Sequence, residues 1–561
     1  MKDEIKVRIK KSGATENNIG EKEHTFPIGT RLESVVSLFG PLSSPVAAIK
    51  VNDEILPLSA PLEVNATLEP VLLENHEGVV IYRCSLAFLL AIAARDLFPD
   101  RRLYIGHSLG YSFYYTFLEG QIEKPEVEKL QKRMEELVRE NIPIERHYMA
   151  YAEAMEIFTK NQQDDTALLL KERSESRVTV NECAGFVDLY ISPLVSRTGL
   201  LDAFELMPYE DGFVLRFPAT GGGNKIAPFE DHHLLFSVYC EHKKWGRIVG
   251  VHSVGLLNSL VTNRTIRDYI RTAEAFQEKK LSEIADMIYE RKDDVRAVLI
   301  AGPSSSGKTT SAKRLSIALK VMGIEPIAIG LDDYYVGTDK TPLDEKGQPD
   351  FECLEALDVP YLNQQLLSLL AGDEVTLPIF DFKSGRRKEE GGRKIRLDRR
   401  TMLIIEGIHG LNDALTPQLK KETKFKIYVS ALTQLNLDDH NRIPTSDNRF
   451  LRRMVRDYQF RGAGATRTMN MWPSVQRGEK KHIFPFQNSA DTVFNSALDY
   501  ELAVLKFYAE PLLRSVKPGM KEYSEASRML SFLANFAPIP PQYVPGTSIL
   551  REFIGDSDFK Y

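Results

Sequence analysis

The sequence predicts a multidomain chain whose C-terminal half is an α/β unit with a parallel sheet, preceded by two smaller α+β units. Three observations predict it. At 561 residues, division by roughly 150 residues per domain leads one to expect three to four domains. The apolar run Ala297-Val298-Leu299-Ile300-Ala301 leads straight into a Gly/Ser-rich turn and then a helical pattern. Two further apolar runs, Ile327 to Leu331 and Met402 to Ile405, end in acidic residues, as buried parallel strands do when they deliver polar groups to one sheet edge.

Composition sets the outer limits. With 43% hydrophobic, 27% charged and 9% aromatic residues, the chain is expected to fold and not to be disordered or fibrous. The longest wholly apolar stretch, Leu86 to Ala94, is far short of the roughly 20 residues that span a bilayer, so no integral membrane protein is expected. The opening MKDEIKVRIK lacks a secretory apolar core, and a cytoplasmic location is expected. Cys84, Cys183, Cys240 and Cys353 form no CxxC pair, which argues against a disulfide framework or a thiolate zinc site. A net charge of −6 gives no global attraction to nucleic acid or anionic lipid.

Taken in order, residues 1–72 alternate charged and apolar positions (Ile5-Lys6-Val7-Arg8-Ile9; Val46 to Val51) around a short helix-like segment, Leu32 to Val36. The tracts FPIGTRLESVV and AAIKVNDEILPLSAPLEVNATLEPV resemble the TGS domain, a ubiquitin-like β-grasp module. Residues 73–245 open on a helical pattern at Leu86, Leu89, Leu90 and Ile92. The segments around His107 and Val187 to Leu194 then resemble the editing domain of threonyl-tRNA synthetase, an α+β fold. In that family an HxxxH and a CxxxH pair form the site, and i, i+4 spacing on a helix would put each pair on one face. Here only His107 matches: Tyr111, Tyr190 and Leu194 stand at the other three positions. The resemblance therefore implies the fold without its metal ligands, and a packed His107. His232 and His233 are adjacent and cannot chelate together. Residues 246–290 read as a helical connector, 291–520 as the chemical unit, and 521–561 as a proline-rich C-terminal extension packing back in extended form.

The turn after Ala301 reads Gly302-Pro303-Ser304-Ser305-Ser306-Gly307-Lys308-Thr309, a complete GxxxxGK[ST]. Glycines at those places let backbone N–H groups converge on a phosphate while the following helix adds its positive end. Gly302, Ser304, Ser305, Ser306, Gly307, Lys308, Thr309 and Thr310 are thus the expected ATP-binding residues. Lys308 meets the β and γ phosphates, and the Thr309 hydroxyl meets Mg²⁺. Asp332, after the second run, is placed to act as a base toward an alcohol, with a strand-end cap as the alternative. Glu406, after the third, is placed to order the Mg²⁺ shell, with the same alternative.

The segments GPSSSGKTT, LDDYY, LPIFDFKSGRRKEEGGRK, IIEGIHGLN and RRMVRDYQFRG resemble, in this order, the uridine kinase/phosphoribulokinase family of P-loop kinases. The resemblance implies an ATP- and Mg²⁺-dependent nucleoside kinase with Asp332 as catalytic base. It also implies a lid helix whose matching residues are Arg453, Arg456 and Arg461. Glu352 takes the place of a ribose-binding aspartate; Phe380 and Gly385 stand where the family has a base-gripping tyrosine and histidine; Arg387 completes the expected substrate contacts with Arg453. Loss of two polar base contacts leaves the identity of the nucleoside open. The tract Lys383 to Arg400, with nine Lys/Arg against three Asp/Glu, reads as a solvated hairpin, with a nucleic-acid patch as the alternative. Two other functions stay open: an RNA-linked regulatory NTPase or pseudokinase, and a kinase of another small alcohol or sugar phosphate. RNA contact through the N-terminal modules and homo-oligomerisation also stay open.

Overall fold

The structure, a computed structural model, describes residues 4–10, 19–173, 175–220, 225–344, 347–381, 384–388 and 390–560. Lys383 and Glu389 of the basic tract lie outside the described residues.

Five strands, β1 (Glu4–Lys10), β2 (Ile19–Pro27), β3 (Val46–Val51), β4 (Glu54–Leu56) and β5 (Ala66–Leu72), form one sheet in the order β2-β1-β5-β3-β4. Only the β1–β5 pair is parallel, and the one-turn helix-like segment extends as a 3₁₀ helix, Leu32–Phe39, across the sheet. Alternation in β1 sends Ile5 and Val7 inward against Leu32 and Val35 while its charges face out.

The middle unit begins with α1 (His76–Leu97) and continues through β6 (Leu103–Ser108), β7 (Ser112–Phe117), α2 (Lys124–Glu140), β8 (Glu145–Ala150), α3 (Tyr151–Lys160), α4 (Asp164–Lys171), β9 (Arg177–Cys183), β10 (Phe186–Asp188), β11 (Glu205–Tyr209) and β12 (Gly212–Arg216). It holds a four-stranded sheet, β11-β12-β7-β6, and a three-stranded one, β10-β9-β8. By length and composition α1 could cross a membrane, but 72% of its apolar window is buried inside the protein, as suits the core helix of this unit. His107 lies on strand β6, not on a helix, because the run Leu-Tyr-Ile pairs with β7 and Gly110, at φ 56°, turns the chain. Its ring stacks on Tyr239, and burial pushes its pKa down to about 3. Tyr190 and Leu194 are buried in the core around α1.

Helices α5 (His233–Val249), α6 (Val254–Thr262) and α7 (Ile266–Glu290) lead into the largest core, which α7 joins through Leu281, Ile284 and Ile288. There follow β13 (Ala297–Ala301), α8 (Lys308–Val321), β14 (Glu325–Gly330), α9 (Val359–Ala371), β15 (Val375–Thr376), β16 (Phe380–Asp381), β17 (Arg386–Arg387), β18 (Lys394–Ile395), β19 (Thr401–Glu406), β20 (Lys424–Ser430), α10 (Thr445–Arg461), α11 (Ala465–His482) and β21 (Thr492–Asn495). The main sheet runs β14-β19-β13-β20-β21 and every pairing in it is parallel. β13, β19 and β20 are buried along nearly their whole length, which explains why Ala297–Ala301 and Met402 to Ile405 read as unbroken apolar runs. The described part of the basic tract supplies β17 and β18, which pair antiparallel with the preceding β16 and β15.

The chain closes with α12 (Glu501–Arg514), α13 (Tyr523–Leu533) and the single turn α14 (Arg551–Ile554). The extension is not simply extended. Ile549, Leu550 and Phe553 are fully buried in the largest core, because the apolar spacing of ILREFI suits a helical turn once proline ends at Pro545. Between units, His440 Nδ1 lies 2.7 Å from Asp188 Oδ2, and Arg102 donates to Asp439 at 2.8 Å, tying the middle unit to the loop before α10.

Candidate active site at the sheet edge

Strand register brings three chain segments to one edge. Glu406 is level with Ile300 of β13 on one side and Gly330 of β14 on the other. The residues that follow those strands, the Gly302–Gly307 loop and the 3₁₀ turn Leu331–Tyr334, therefore leave the sheet beside Glu406.

The loop is built from close approaches. A Cβ at Gly302 would sit 2.0 Å from the Val429 carbonyl oxygen, so only glycine fits between β13 and β20. Ser305 (φ 58°) and Gly307 (φ 83°) take left-handed conformations that curl the backbone. Among the described residues the Ser305 and Ser306 hydroxyls are buried without a hydrogen-bond partner. Lys308 folds back, Nζ donating to the Gly302 (2.9 Å) and Pro303 (3.2 Å) carbonyls. Burial lowers its pKa, against the pull of Glu406, Asp332 and Glu552. Thr309 Oγ1 donates to Glu406 Oε1 at 3.0 Å. Burial pushes the Glu406 carboxyl up to about 7, with Asp332 adding to the rise and Lys308 opposing it.

Asp332 is solvent-exposed, yet its charge acts on Lys308, Glu406 and Glu352, which sets it facing the mouth of this cluster. Its neighbour Asp333 does a different job: Oδ1 accepts from the Phe380 N–H at 3.0 Å, fixing β16 against the turn. Burial raises Glu352 to about 7; Glu479 adds to this, Arg453 and Lys308 oppose it, and its Oε2 has no partner among the described residues. The Phe380 ring packs 5.6 Å from that of Tyr335, which also meets Phe351. Arg387, level with Phe380 in the β16–β17 pair, donates to Asp358 at 3.2 Å and lies over the Tyr361 ring.

Helix α10 presents arginines at positions 449, 452, 453 and 456, a spacing that repeats on one face. Arg453 donates to Ser304 Oγ at 2.7 Å. Asp457 gathers Arg453, Arg456 and the more exposed Arg461 within 3.5 Å. Burial brings Arg456 down to about 10, with Arg461 acting in the same direction.

Several residues that hold the loop carry no signal of their own in the sequence. Arg449 pairs with Glu479 and donates to the Ser304 carbonyl at 2.9 Å, while Glu479 accepts the Ser304 N–H at 2.9 Å. Arg452, fully buried, pairs with Glu501 and donates to the Ser305 carbonyl at 3.3 Å. His409, after β19, is buried beside the Glu352 and Cys353 backbone, and burial, with His482 acting in the same direction, lowers it to about 4. The near repeat of Arg every third or fourth residue in α10 was the one available clue; which arginines turn inward depends on Glu479 and Glu501, far away in sequence.

Comparison with known proteins divides the chain in the same place. Residues 297–503 match the model of the Phosphoribulokinase / Uridine kinase family. The N-terminal portion is similar to threonine–tRNA ligases: that of Desulforamulus reducens is 32% identical over 205 residues, 36% of this chain and 31% of the ligase. The chain thus spans about a third of the length of the curated relatives it matches. Among solved structures, a possible uridine kinase from Bacillus stearothermophilus is 23% identical, covering 37% of this chain and 100% of its own, at a TM-score of 0.22. D-glycerate 3-kinase from Cryptococcus neoformans is 16% identical, covering 46% of this chain and 88% of its own, at a TM-score of 0.23. The C-terminal region thus has the parallel-sheet P-loop kinase fold, and within it residues 297–503 are similar to the phosphoribulokinase/uridine kinase family.

Proposed function

We propose that the protein phosphorylates the 5′-hydroxyl of a uridine- or cytidine-like nucleoside, using ATP and Mg²⁺. One observation carries the reading: an anion-cradling loop, an oxygen pair at Thr309 and Glu406, and the exposed Asp332 leave three neighbouring strands at one sheet edge.

The donor set suits the nucleotide and the metal. Backbone N–H groups of Gly307, Lys308 and Thr309, the Lys308 ammonium and the Ser305 and Ser306 hydroxyls, without a partner among the described residues, are a phosphate-binding set. Thr309 and Glu406 offer Mg²⁺ the hard oxygen ligands it prefers, directly or through water. Bound MgATP supplies the phosphoryl group and neutralises charge on it. Asp332 accepts the hydroxyl proton as the acceptor oxygen bonds to the terminal phosphorus and the bond to the departing ADP breaks. Lys308 with Arg453, Arg456 and Arg461 stabilises the negative charge on the transferring group.

On the acceptor side, Glu352 Oε2 is buried with no hydrogen-bond partner among the described residues. A sugar hydroxyl would satisfy it, and a buried polar group left unpaired costs about 1–3 kcal/mol. Phe351, Tyr335 and Phe380 offer an aromatic wall for a flat base. Arg387 serves this side if it leaves Asp358. Such a protein is expected to work in the cytoplasm, with the N-terminal portion free to contact RNA.

ADP release, measured with ATP and a panel of nucleosides, sugar phosphates and small alcohols, tests this. Stimulation by uridine or cytidine is expected. Stimulation by sugar phosphates alone would overturn the acceptor, and tight binding of a structured RNA with no stimulated ADP release would replace catalysis by regulation.

A further inference from the structure

Beyond the 3₁₀ turn Pro541–Tyr543 the C-terminal segment crosses the phosphate-binding loop. Glu552 Oε2 accepts the backbone N–H of Thr310 at 3.2 Å and the Thr310 hydroxyl at 2.7 Å. Thr310 is the third residue of α8, where helical N–H groups lack partners within the helix and the local field favours an anion. The carboxylate also acts on Lys308 and Arg456, so it faces the same cations as the loop. Ile549 reaches so close that a Cβ on Gly307 would lie 2.7 Å from its Cγ2. Arg452 lies over the Phe553 ring at 4.9 Å, and Lys313 donates to the Lys560 carbonyl at 2.6 Å. The tail is therefore fixed on both sides of Glu552.

We infer that the segment Ile549–Ile554 is an intramolecular competitor of the nucleotide. The Glu552 carboxylate holds the amide and hydroxyl that a phosphate of ATP requires, and the turn fills the ground beside the loop glycine. One N–H cannot serve two anions at full strength, and two negative groups at one helix terminus repel. The tail lifts before ATP is held productively, and anything that draws the tail away activates the protein. The inference rests on reading the loop as an ATP site.

For such a protein the apparent affinity for ATP is reduced by the fraction of molecules with the tail lifted. Glu552→Gln keeps the size of the side chain and removes its charge. Calorimetric titration of the full-length chain with MgATP is expected to give an apparent Kd at least about tenfold lower for E552Q than for the parent. As a second measurement on the unaltered chain, saturating MgATP is expected to speed hydrogen exchange of the amides from 549 to 555. Equal or weaker binding by E552Q, or slower exchange with ATP, would mean that the tail completes the site instead of blocking it, and the inference falls. If neither protein binds MgATP while both give native circular dichroism, the ATP reading itself fails and the inference goes with it, a result distinct from equal binding. Should E552Q not fold, the exchange measurement decides alone.

Discussion

Glu352 lends itself to a quantitative test, because burial first, and then Glu479, raise its carboxyl from 4.5 to about 7. A raised acid means that between pH 4.5 and 7 the native state holds a proton that the unfolded chain has released. Stability therefore falls as pH climbs through that window, and the loss is complete above pH 7. About 2.5 units at 1.36 kcal/mol each gives roughly 3 kcal/mol. Glu352→Gln imitates the protonated side chain at all pH values. The variant is expected to be stabler than the parent by about 3 kcal/mol at pH 8, and by less than about 1 kcal/mol at pH 5. Urea unfolding followed by fluorescence supplies the readout, since Trp472 of α11 packs against Phe450 of α10 in the same region. A stability difference that stays flat from pH 5 to pH 8 would refute the argument. The same variant is expected to bind the acceptor more weakly, so that the chain tolerates an unfavourable carboxylate where it is useful.

Two further outcomes follow from buried ion pairs. Arg452→Met leaves Glu501 buried without its partner and is expected to cost about 3–5 kcal/mol, whereas Arg452→Met with Glu501→Leu recovers most of it; denaturation midpoints of the two variants check this. For His440, burial pulls the ring down, but Asp188, with Asp439 and Asp438, carries it up to about 9. That contribution is fully present below pH 6.5 and lost as pH rises through about 9, so His440→Gln should cost on the order of 3 kcal/mol at pH 6 and little at pH 10, measured by the same unfolding.

The parts of the site that could be read from the sequence are those whose chemistry demands fixed local spacing. The loop from Gly302 to Thr309 needs glycines where Val429 crowds the backbone and where φ is positive, so its pattern is visible in eight residues. Unbroken apolar runs gave away β13 and β19 because both faces of the sheet are covered, and their ends gave away the meeting of Thr309 with Glu406. Glu479, Glu501 and Glu552 were illegible for the opposite reason. An isolated glutamate on a helix looks like a solvated surface charge, and only tertiary packing turns these three toward loop amides or arginines. The prolines from Pro538 to Pro545 suggested an extended tail, while the apolar spacing after them set a buried turn.

The central claim is that Asp332 takes the acceptor's proton, and Asp332→Asn tests it most directly. With nucleoside and MgATP saturating, turnover is expected to fall by about 10²–10⁴-fold while MgATP binding stays within about threefold of the parent. Turnover at the parent's level would contradict the account.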